Sequence, residues 1–257
     1  MNDLYNRIKS HHRARSRSPA SGLVIGSPQD IKIAIPRNRN DDNGRPIQPV
    51  TRDVDSETMR RGLDHVSTFL AKHGRRIEVV AVGGAVNTLF LHTREKTHDI
   101  DIFSSELDKP SRILLDEAAH DAQKRIPALG TDWLNTETEM WMTGPAENDL
   151  THAAAEQNVR LYEGQGLIVY LAPWDYAFTG KVHRIQTGGG NVRDYDLADA
   201  AHYMHQYILA HSNRPVKAGM IQEWAKKWRG YEVKASILAR IQIEYKRHYG
   251  GHKAMDL

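Results

Sequence analysis

The spacing of apolar and polar residues predicts the secondary structure of residues 51–103. Apolar residues recur every three or four positions after Ser56, a plausible N-cap, and this helical spacing ends near His73–Gly74. The run IEVVAV at 77–82 is continuously apolar and rich in β-branched residues, which predicts a buried strand. The run HDIDIF at 98–103 alternates with a period of two and predicts a second strand.

Farther along the chain, the same patterns predict strands first and helices afterwards. A short helix is predicted at 85–93, a longer helix opens at Pro110, and two more strands are predicted at 138–143 and 167–172. The rest of the chain is predicted to be helical, with helices at 173–186, 196–210, 217–228 and 231–248. These elements predict an α+β fold, in which a small mixed β-sheet with helices is followed by a C-terminal helical bundle.

Changes in composition divide the chain into three predicted regions. Residues 1–50 are rich in Arg, Ser and Pro, with one short apolar run at Ile31–Ile35. They are predicted to form a mostly disordered basic tail, of which 28–36 can dock on the body. The RARSRSP run in this tail fits an RNA-binding segment, a nuclear address or a phosphorylation site, although a solvated charged tail is the simplest interpretation. Residues 51–172 are predicted to form the core, and 173–257 a helical domain that completes the site.

Composition narrows the class of protein. Hydrophobic residues make up 40% of the 257 residues and charged residues 26%, which is typical of a globular protein. No apolar stretch approaches the roughly 18 residues of a membrane span, and the N-terminus lacks the apolar middle of a secretory signal, so we expect a cytoplasmic protein, with a nuclear one as the alternative. Without cysteine there is no disulfide, thiolate zinc site or cysteine nucleophile. Residues 1–20 carry a net charge of +4, against +3 for the whole chain, so the remaining chain is at about −1 and its charge gives no argument for nucleic-acid binding.

Two carboxylates flank Ile100 in the second predicted strand. Because Asp99 and Asp101 are two residues apart on a strand, their side chains are expected to project from the same face, with Ile100 and Ile102 facing a core. Two carboxylates on one face repel each other unless a cation lies between them. Hard oxygen ligands suit Mg²⁺, which commonly bridges to substrate phosphates. The sequence therefore predicts a divalent-metal site at Asp99 and Asp101.

A glycine pair between the two predicted strands offers a site for an anion. Without Cβ atoms, Gly83 and Gly84 let the backbone approach a ligand closely and present N–H groups to it. The helix predicted to begin directly after the pair adds the partial positive charge of its N-terminus. A triphosphate between this turn and the metal is the expected ligand, and in-line attack on its α-phosphate is the expected chemistry.

The run VVAVGGAVNTLFLHTREKTHDIDIF at 79–103 resembles the first motif of the DNA polymerase β-like nucleotidyltransferase superfamily. In that superfamily a strand ends in Gly-Gly or Gly-Ser, and an Asp-x-Asp follows on the next strand. The run is most similar to the minimal transferases of the abortive-infection toxin type, in which a basic residue and Thr often precede the aspartates, as Lys96 and Thr97 do here. The resemblance implies an NTP substrate, ATP included, and Mg²⁺ or Mn²⁺ as the cofactor.

The resemblance also implies a second half of the site, within 171–204. A lysine on a downstream helix is expected to contact the nucleotide phosphates, which implies that role for Lys181, with Arg184 in support. An acid at the start of the next helix is expected to position the acceptor or the nucleophile, and either Asp196 or Asp194 fits. Without any family, Asp196 is a good N-cap and Asp199 a favourable first-turn acid.

Larger superfamily members carry a third carboxylate on a later strand. Glu137 and Glu139 are the candidates, although both fit solvent-facing positions beside Trp141 equally well. Many members also have Ser as the second residue of the turn, where Gly84 offers only backbone.

The leading hypothesis is a metal-dependent nucleotidyltransferase that moves an NMP group from an NTP to an acceptor hydroxyl. The acceptor is an RNA such as a tRNA, a protein or a small molecule, and the sequence does not separate these. One alternative is a catalytically inactive protein of the same fold that binds nucleotides or nucleic acid. Another is a nucleic-acid-binding module led by the basic tail.

Overall fold

Strands and helices alternate up to Leu171, and helices dominate after it, in the computed structural model, which describes residues 32–41, 43–211 and 213–257. The strands of these residues are β1 (Val54–Asp55), β2 (Ile77–Val82), β3 (Lys96–Thr97), β4 (Ile100–Phe103), β5 (Leu134–Asn135), β6 (Arg160–Glu163), β7 (Leu167–Leu171), β8 (Val216–Lys217) and β9 (Met255–Asp256). The α-helices are α1 (Ser56–Lys72), α2 (Lys109–Arg125), α3 (Gly144–Gln157), α4 (Trp174–Thr187), α5 (Asp196–Ala210), α6 (Ala218–Arg229) and α7 (Ala235–His248).

The central sheet has five strands in the order β5-β4-β2-β7-β6. Strand β2 lies in its middle, antiparallel to β4 and parallel to β7, while β4 runs parallel to β5 and β6 antiparallel to β7. This mixed sheet with its helices confirms the predicted α+β fold. The central place of β2 explains its apolar run at 79–82, because this part of the strand is covered on both faces, whereas Glu78 near its start is exposed.

Alternating side chains of the sheet reach two separate apolar clusters. Val79 of β2 joins the main cluster, which includes α1 and α2, and so do Ile100 and Ile102 of β4, as predicted. Val80 and Phe103 face the other way into a smaller cluster with α3. Asp101 lies between the two isoleucines and therefore shares the face of Phe103.

The helices after the sheet extend the main cluster. Helix α4 packs mainly on α5, α5 also packs on α7, and α4 also packs on α6. Their apolar side chains belong to the same cluster as α1 and the sheet, and residues 33–257 form one compact unit. The predicted division at residue 172, into a catalytic core and a helical domain, stays a prediction. One apolar cluster contains residues from both parts.

Part of the predicted tail packs on the body. Ile35 is 1% exposed, and its N–H donates a hydrogen bond of 3.0 Å to the hydroxyl of Thr136. Nε of Arg37 donates to the buried carboxylate of Asp116 on α2 at 2.6 Å. The predictions made for residues 1–31 lie outside the described residues.

Several predicted elements are wrong in type or detail. The strand predicted at 138–143 is a 3-10 helix (Glu137–Trp141), because its apolar side chains do not enter the core, and the strand here is the shorter β5. The N-cap of α1 is Asp55, whose carboxylate accepts from the N–H of Thr58 at 2.8 Å, rather than Ser56. Helix α3 and strand β6 were not predicted. In the described residues, no helix has the length and apolar character needed to cross a membrane.

Candidate functional site

One cavity of about 610 Å³ opens where β2 ends and β4 begins. Both predicted glycines and both predicted metal-binding aspartates line it. The predicted phosphate-binding residues Lys181 and Arg184 line it as well, from α4. The structure thus brings together residues that lie almost 100 positions apart in the chain. A cleft of this size is within the usual range for small-molecule sites.

The atoms that pack against the turn favour glycine at both of its positions, 83 and 84. Gly83 has φ +77°, and a Cβ atom there would lie 3.1 Å from Oδ2 of Asp101. A Cβ atom on Gly84 would lie 2.4 Å from Oγ1 of Thr97, closer than a side chain can approach. The backbone of the turn therefore lies directly against one of the aspartates and a threonine hydroxyl, and no larger residue fits either position without a shift.

The helix after the turn is shorter than predicted. A single π-helical turn (Val86–Phe90) replaces the helix predicted at 85–93. Its dipole is accordingly small, so this helical turn adds less positive charge beside the glycines than the predicted helix would. The buried Asn87 in this turn donates from Nδ2 to the hydroxyl of Tyr203 on α5 at 2.7 Å, and that hydroxyl in turn donates to the carbonyl of Gly83 at 3.3 Å. Burial raises the pKa of Tyr203, which keeps its hydroxyl protonated and able to donate.

Asp99 lies close enough to Asp101 to affect the ionisation of Asp101. Asp101 pairs with Val82 across the sheet, Asp99 immediately precedes β4, and both side chains are half-buried. Burial raises the pKa of Asp99. Burial, together with the charge of Asp99, raises the pKa of Asp101 to about 7. Proximity of the two carboxylates, expected from their spacing, is thus present.

The neighbouring strand carries an amide where the resemblance implied a carboxylate. Asn135 of β5 is in register with Asp101, and its Nδ2 donates to Oδ2 of Asp99 at 3.4 Å. The two predicted candidates are placed differently. Both carboxylate oxygens of Glu139 accept hydrogen bonds from the buried guanidinium of Arg112, at 2.7 and 2.8 Å, whereas Glu137 is exposed. Across the described ranges, no group of three or more acidic or histidine side chains is arranged to hold a metal ion.

Lys181 is held by two buried acids of α5. Its Nζ lies 2.8 Å from Oδ1 of Asp196 and 2.6 Å from Oδ2 of Asp199. Asp199 also accepts from Arg94, and Asp196 accepts from the backbone N–H of Arg193 at 2.9 Å. The lysine is only 8% exposed but lines the cavity. Its position is therefore set by these acids, which use two of the three N–H donors of its ammonium group.

The structure separates the two acids that the sequence left as alternatives. Asp196 has no exposed surface and binds Lys181, whereas Asp194 is exposed and is not among the described residues that line the cavity. A side chain without exposed surface cannot touch a ligand in the cavity, and Asp196 reaches the cavity lining through its contact with Lys181. It is also not an N-cap, since Tyr195 holds that position and makes no side-chain capping bond.

Sequence reasoning missed several basic residues of the cavity. Six basic side chains line it against three acids, and the basic ones are Arg94, Lys96, Lys181, Arg184, Arg193 and Arg229. The guanidinium of Arg94 lies 3.6 Å from the ring centre of Tyr195, which holds it flat over that ring. Arg94 is five residues before Asp99, a position the motif does not specify. Arg229 ends α6, far from the motif, and no local pattern marks it.

The fold and the cavity define an α+β protein with an acidic pair and a glycine turn inside a basic cleft. The chain belongs to the family of a domain of unknown function, DUF7582, which matches residues 52–252. The match covers every residue of the cavity described above. No curated protein and no solved structure matches the chain.

Proposed function

We propose that this protein is a metal-dependent nucleotidyltransferase that transfers an NMP group from an NTP to an acceptor hydroxyl. One observation carries the proposal: the carboxylate of Asp101 lies against the Gly83 backbone, in the same cleft as Asp99 and a surplus of basic side chains. This arrangement offers oxygen ligands for a cation beside N–H groups for an anion. A metal-bound polyphosphate meets both requirements at once.

The acidic pair fits a hard divalent cation. Burial and the charge of its neighbour Asp99 raise the pKa of Asp101 to about 7, and a cation bound at the pair would stabilise the ionised form of both carboxylates. Asp99 and Asp101 would hold Mg²⁺ or Mn²⁺, with water and phosphate oxygens as the other ligands. When bound, the ion would stabilise charge on the oxygens that enter and leave at phosphorus.

The basic side chains fit a triphosphate. Gly83 and Gly84 present backbone N–H groups, and Lys181 offers one remaining N–H bond from a position fixed by two salt bridges. Arg184 is farther out, with its Nη1 4.0 Å from Asp196, and is half exposed. In the proposed complex the turn and Lys181 hold the phosphates, and Arg184 neutralises their outer charge.

The proposed reaction is a substitution at phosphorus. The acceptor oxygen forms a bond to the α-phosphorus, and the bond from that phosphorus to the bridging oxygen of the β-phosphate breaks. Pyrophosphate leaves with the bonding electron pair, and the proton of the acceptor hydroxyl passes to solvent. The residues of this chain orient the triphosphate in line and compensate its charge.

Labelled nucleotides test this proposal. Full-length protein with Mg²⁺ and cell extract is expected to transfer label from an NTP labelled at the α-phosphate and none from one labelled at the γ-phosphate. Asp101→Asn should lower transfer roughly 100-fold or more. Asp149→Asn, an exposed acid on α3 outside the cavity, is the matched control and should behave as wild type.

The same experiment separates the alternatives. Transfer of γ-label would identify a kinase instead, and full activity of Asp101→Asn would refute the metal assignment. Binding of Mg²⁺ and NTP without transfer to any acceptor would favour a nucleotide-binding module. Fractionating the labelled extract into RNA, protein and small molecules would identify the acceptor in the cytoplasm, where we propose the enzyme acts.

A further inference from the structure

Trp141 differs from the other four tryptophans of the chain. The side chain of Trp133 is buried and donates to a backbone carbonyl, and that of Trp228 donates to a carboxylate. Trp174 and Trp224 pack against aromatic rings in the core. Trp141 is 86% exposed and has no hydrogen-bond, aromatic or cation–π partner among the described residues. Its large apolar surface is therefore not explained by packing within the fold.

The indole lies at the rim of the cavity on a supported segment. It ends the 3-10 helix Glu137–Trp141, which contacts β4, the strand that carries Asp101. Thr136, before this helix, is buried, and Met142, after it, packs against the smaller apolar cluster. Trp141 and Met142 both line the cavity. The backbone on both sides is thus anchored while the ring remains free.

The other aromatic side chains of the cavity are already engaged. Trp174, Tyr176 and Tyr203 are buried. One face of Tyr195 is covered by the guanidinium of Arg94, whose centre lies 3.6 Å from the ring centre. Among the tryptophan and tyrosine side chains that line the cavity in the described part of the chain, Trp141 is accordingly the one whose ring has no hydrogen-bond, aromatic or cation–π partner and is largely exposed.

We propose that Trp141 is the platform on which the nucleobase of the bound NTP stacks. This inference rests on the proposed function and names the part of the substrate that the phosphate site does not explain. With the triphosphate held at the turn, the base is the flat part of the NTP that still needs a binding surface. A flat apolar side chain offers that surface. The small residues Ala177 and Gly180 of α4 line the same cavity, and the guanidinium of Arg229 lies against Gly180. Each of the four bases can stack on an indole, because every base has a flat π-face.

Comparing two ligands tests the assignment directly. Binding of Mg-ATP and of Mg-tripolyphosphate, which lacks base and sugar, is measured by calorimetry on the full-length protein. Trp141→Ala should weaken ATP binding roughly tenfold and change tripolyphosphate binding less than about twofold. Trp141→Phe keeps an aromatic face and should retain most of the ATP affinity. Met140→Ala removes the neighbouring side chain, which is also exposed but does not line this cavity, and should bind both ligands as wild type.

Fluorescence gives a second measurement that does not depend on turnover. ATP should quench part of the tryptophan emission of the wild-type protein, whereas tripolyphosphate should not. In Trp141→Phe the ATP-dependent quenching should disappear while binding by calorimetry persists. Equal ATP affinity in wild type and Trp141→Ala would overturn the assignment and leave the phosphate site in place. Equal losses for both ligands would overturn it as well. Failure of the wild-type protein to bind either ligand would refute the proposed function together with the assignment.

Discussion

Two acidic pairs lie at this cleft, and they differ in how their charge is compensated. The inner pair, Asp196 and Asp199, is buried in α5, and Lys181 contacts both carboxylates. The outer pair, Asp99 and Asp101, is half-buried at the cavity surface, and none of the described residues forms a salt bridge with it. Aspartates thus have a direct salt-bridge partner in one place and none in the other, among the described residues.

The ionisation of the two pairs follows this difference. Burial raises the pKa of Asp196, but the hydrogen bonds from Lys181 and from the backbone of Arg193 outweigh it, so the net shift is downward. For Asp101, burial and the charge of Asp99 act in the same direction and raise the pKa to about 7. An acidic pair with its own cations stabilises the fold, whereas a pair without them is suited to bind a cation from outside.

The largest expected effect is on the inner pair. Asp196→Asn leaves the buried ammonium of Lys181 short of a counter-charge, which should lower the free energy of unfolding by about 3 kcal/mol. Urea denaturation followed by circular dichroism measures it. Asp194→Asn, two residues away but exposed, is the control and should stay within about 0.5 kcal/mol of wild type. Equal effects at both positions would remove the distinction between Asp194 and Asp196.

The fit of the turn against its neighbours gives the next largest effect. Gly84→Ala places a Cβ atom 2.4 Å from Oγ1 of Thr97, which should lower the free energy of unfolding by about 2 kcal/mol. Adding Thr97→Ala removes that oxygen and leaves the Thr97 Cβ 3.4 Å away, so the double variant should recover much of the loss. A double variant no more stable than Gly84→Ala would show that the hydroxyl is not the cause.

The outer pair should respond in the opposite direction to the inner pair. Because the folded-state pKa of Asp101 is raised above its unfolded value, its ionisation opposes folding as pH rises from about 4 to about 7. In the metal-free protein, Asp101→Asn should therefore be more stable than wild type by about 1 kcal/mol above pH 7, after allowance for solvent screening. The difference should vanish at low pH, where both states of the wild type are protonated. Destabilisation by Asp101→Asn at high pH would show that the outer pair is structural.

Local patterns were enough to predict β2, β4 and the glycine turn that follows β2. The apolar run of β2 and the alternation of β4 arise from burial on the sheet faces, and the residues that cause them are adjacent in sequence. The segment Glu137–Trp141 also mixes polar and apolar residues. Because Met140 and Trp141 face solvent, this mixture does not arise from burial on a sheet face, and the strand predicted from it is wrong.

The inner pair could not be derived in the same way. Asp196 and Asp199 begin a helix, and acids at that position are favourable in any exposed helix. Their actual partners are Lys181, 15 residues away from Asp196, and Arg94, 105 residues away from Asp199. Only the packing of α4, α5 and the β2–β4 connection brings these charges together, and no spacing within one element encodes it.

The pH dependence of Mg²⁺ binding tests the outer pair itself. Protons and metal compete for Asp101, whose pKa is about 7, so the Mg²⁺ affinity should fall roughly tenfold per pH unit below about 7 and level off above it. Titration of Mg²⁺ while following the melting temperature measures this, with stabilisation strongest in alkaline buffer. Asp101→Asn should lose the Mg²⁺ response at every pH, whereas Asp149→Asn should keep it. A response that is independent of pH and survives Asp101→Asn would place the cation elsewhere, because a carboxylate that must lose its proton to bind a metal cannot be indifferent to pH across its own pKa.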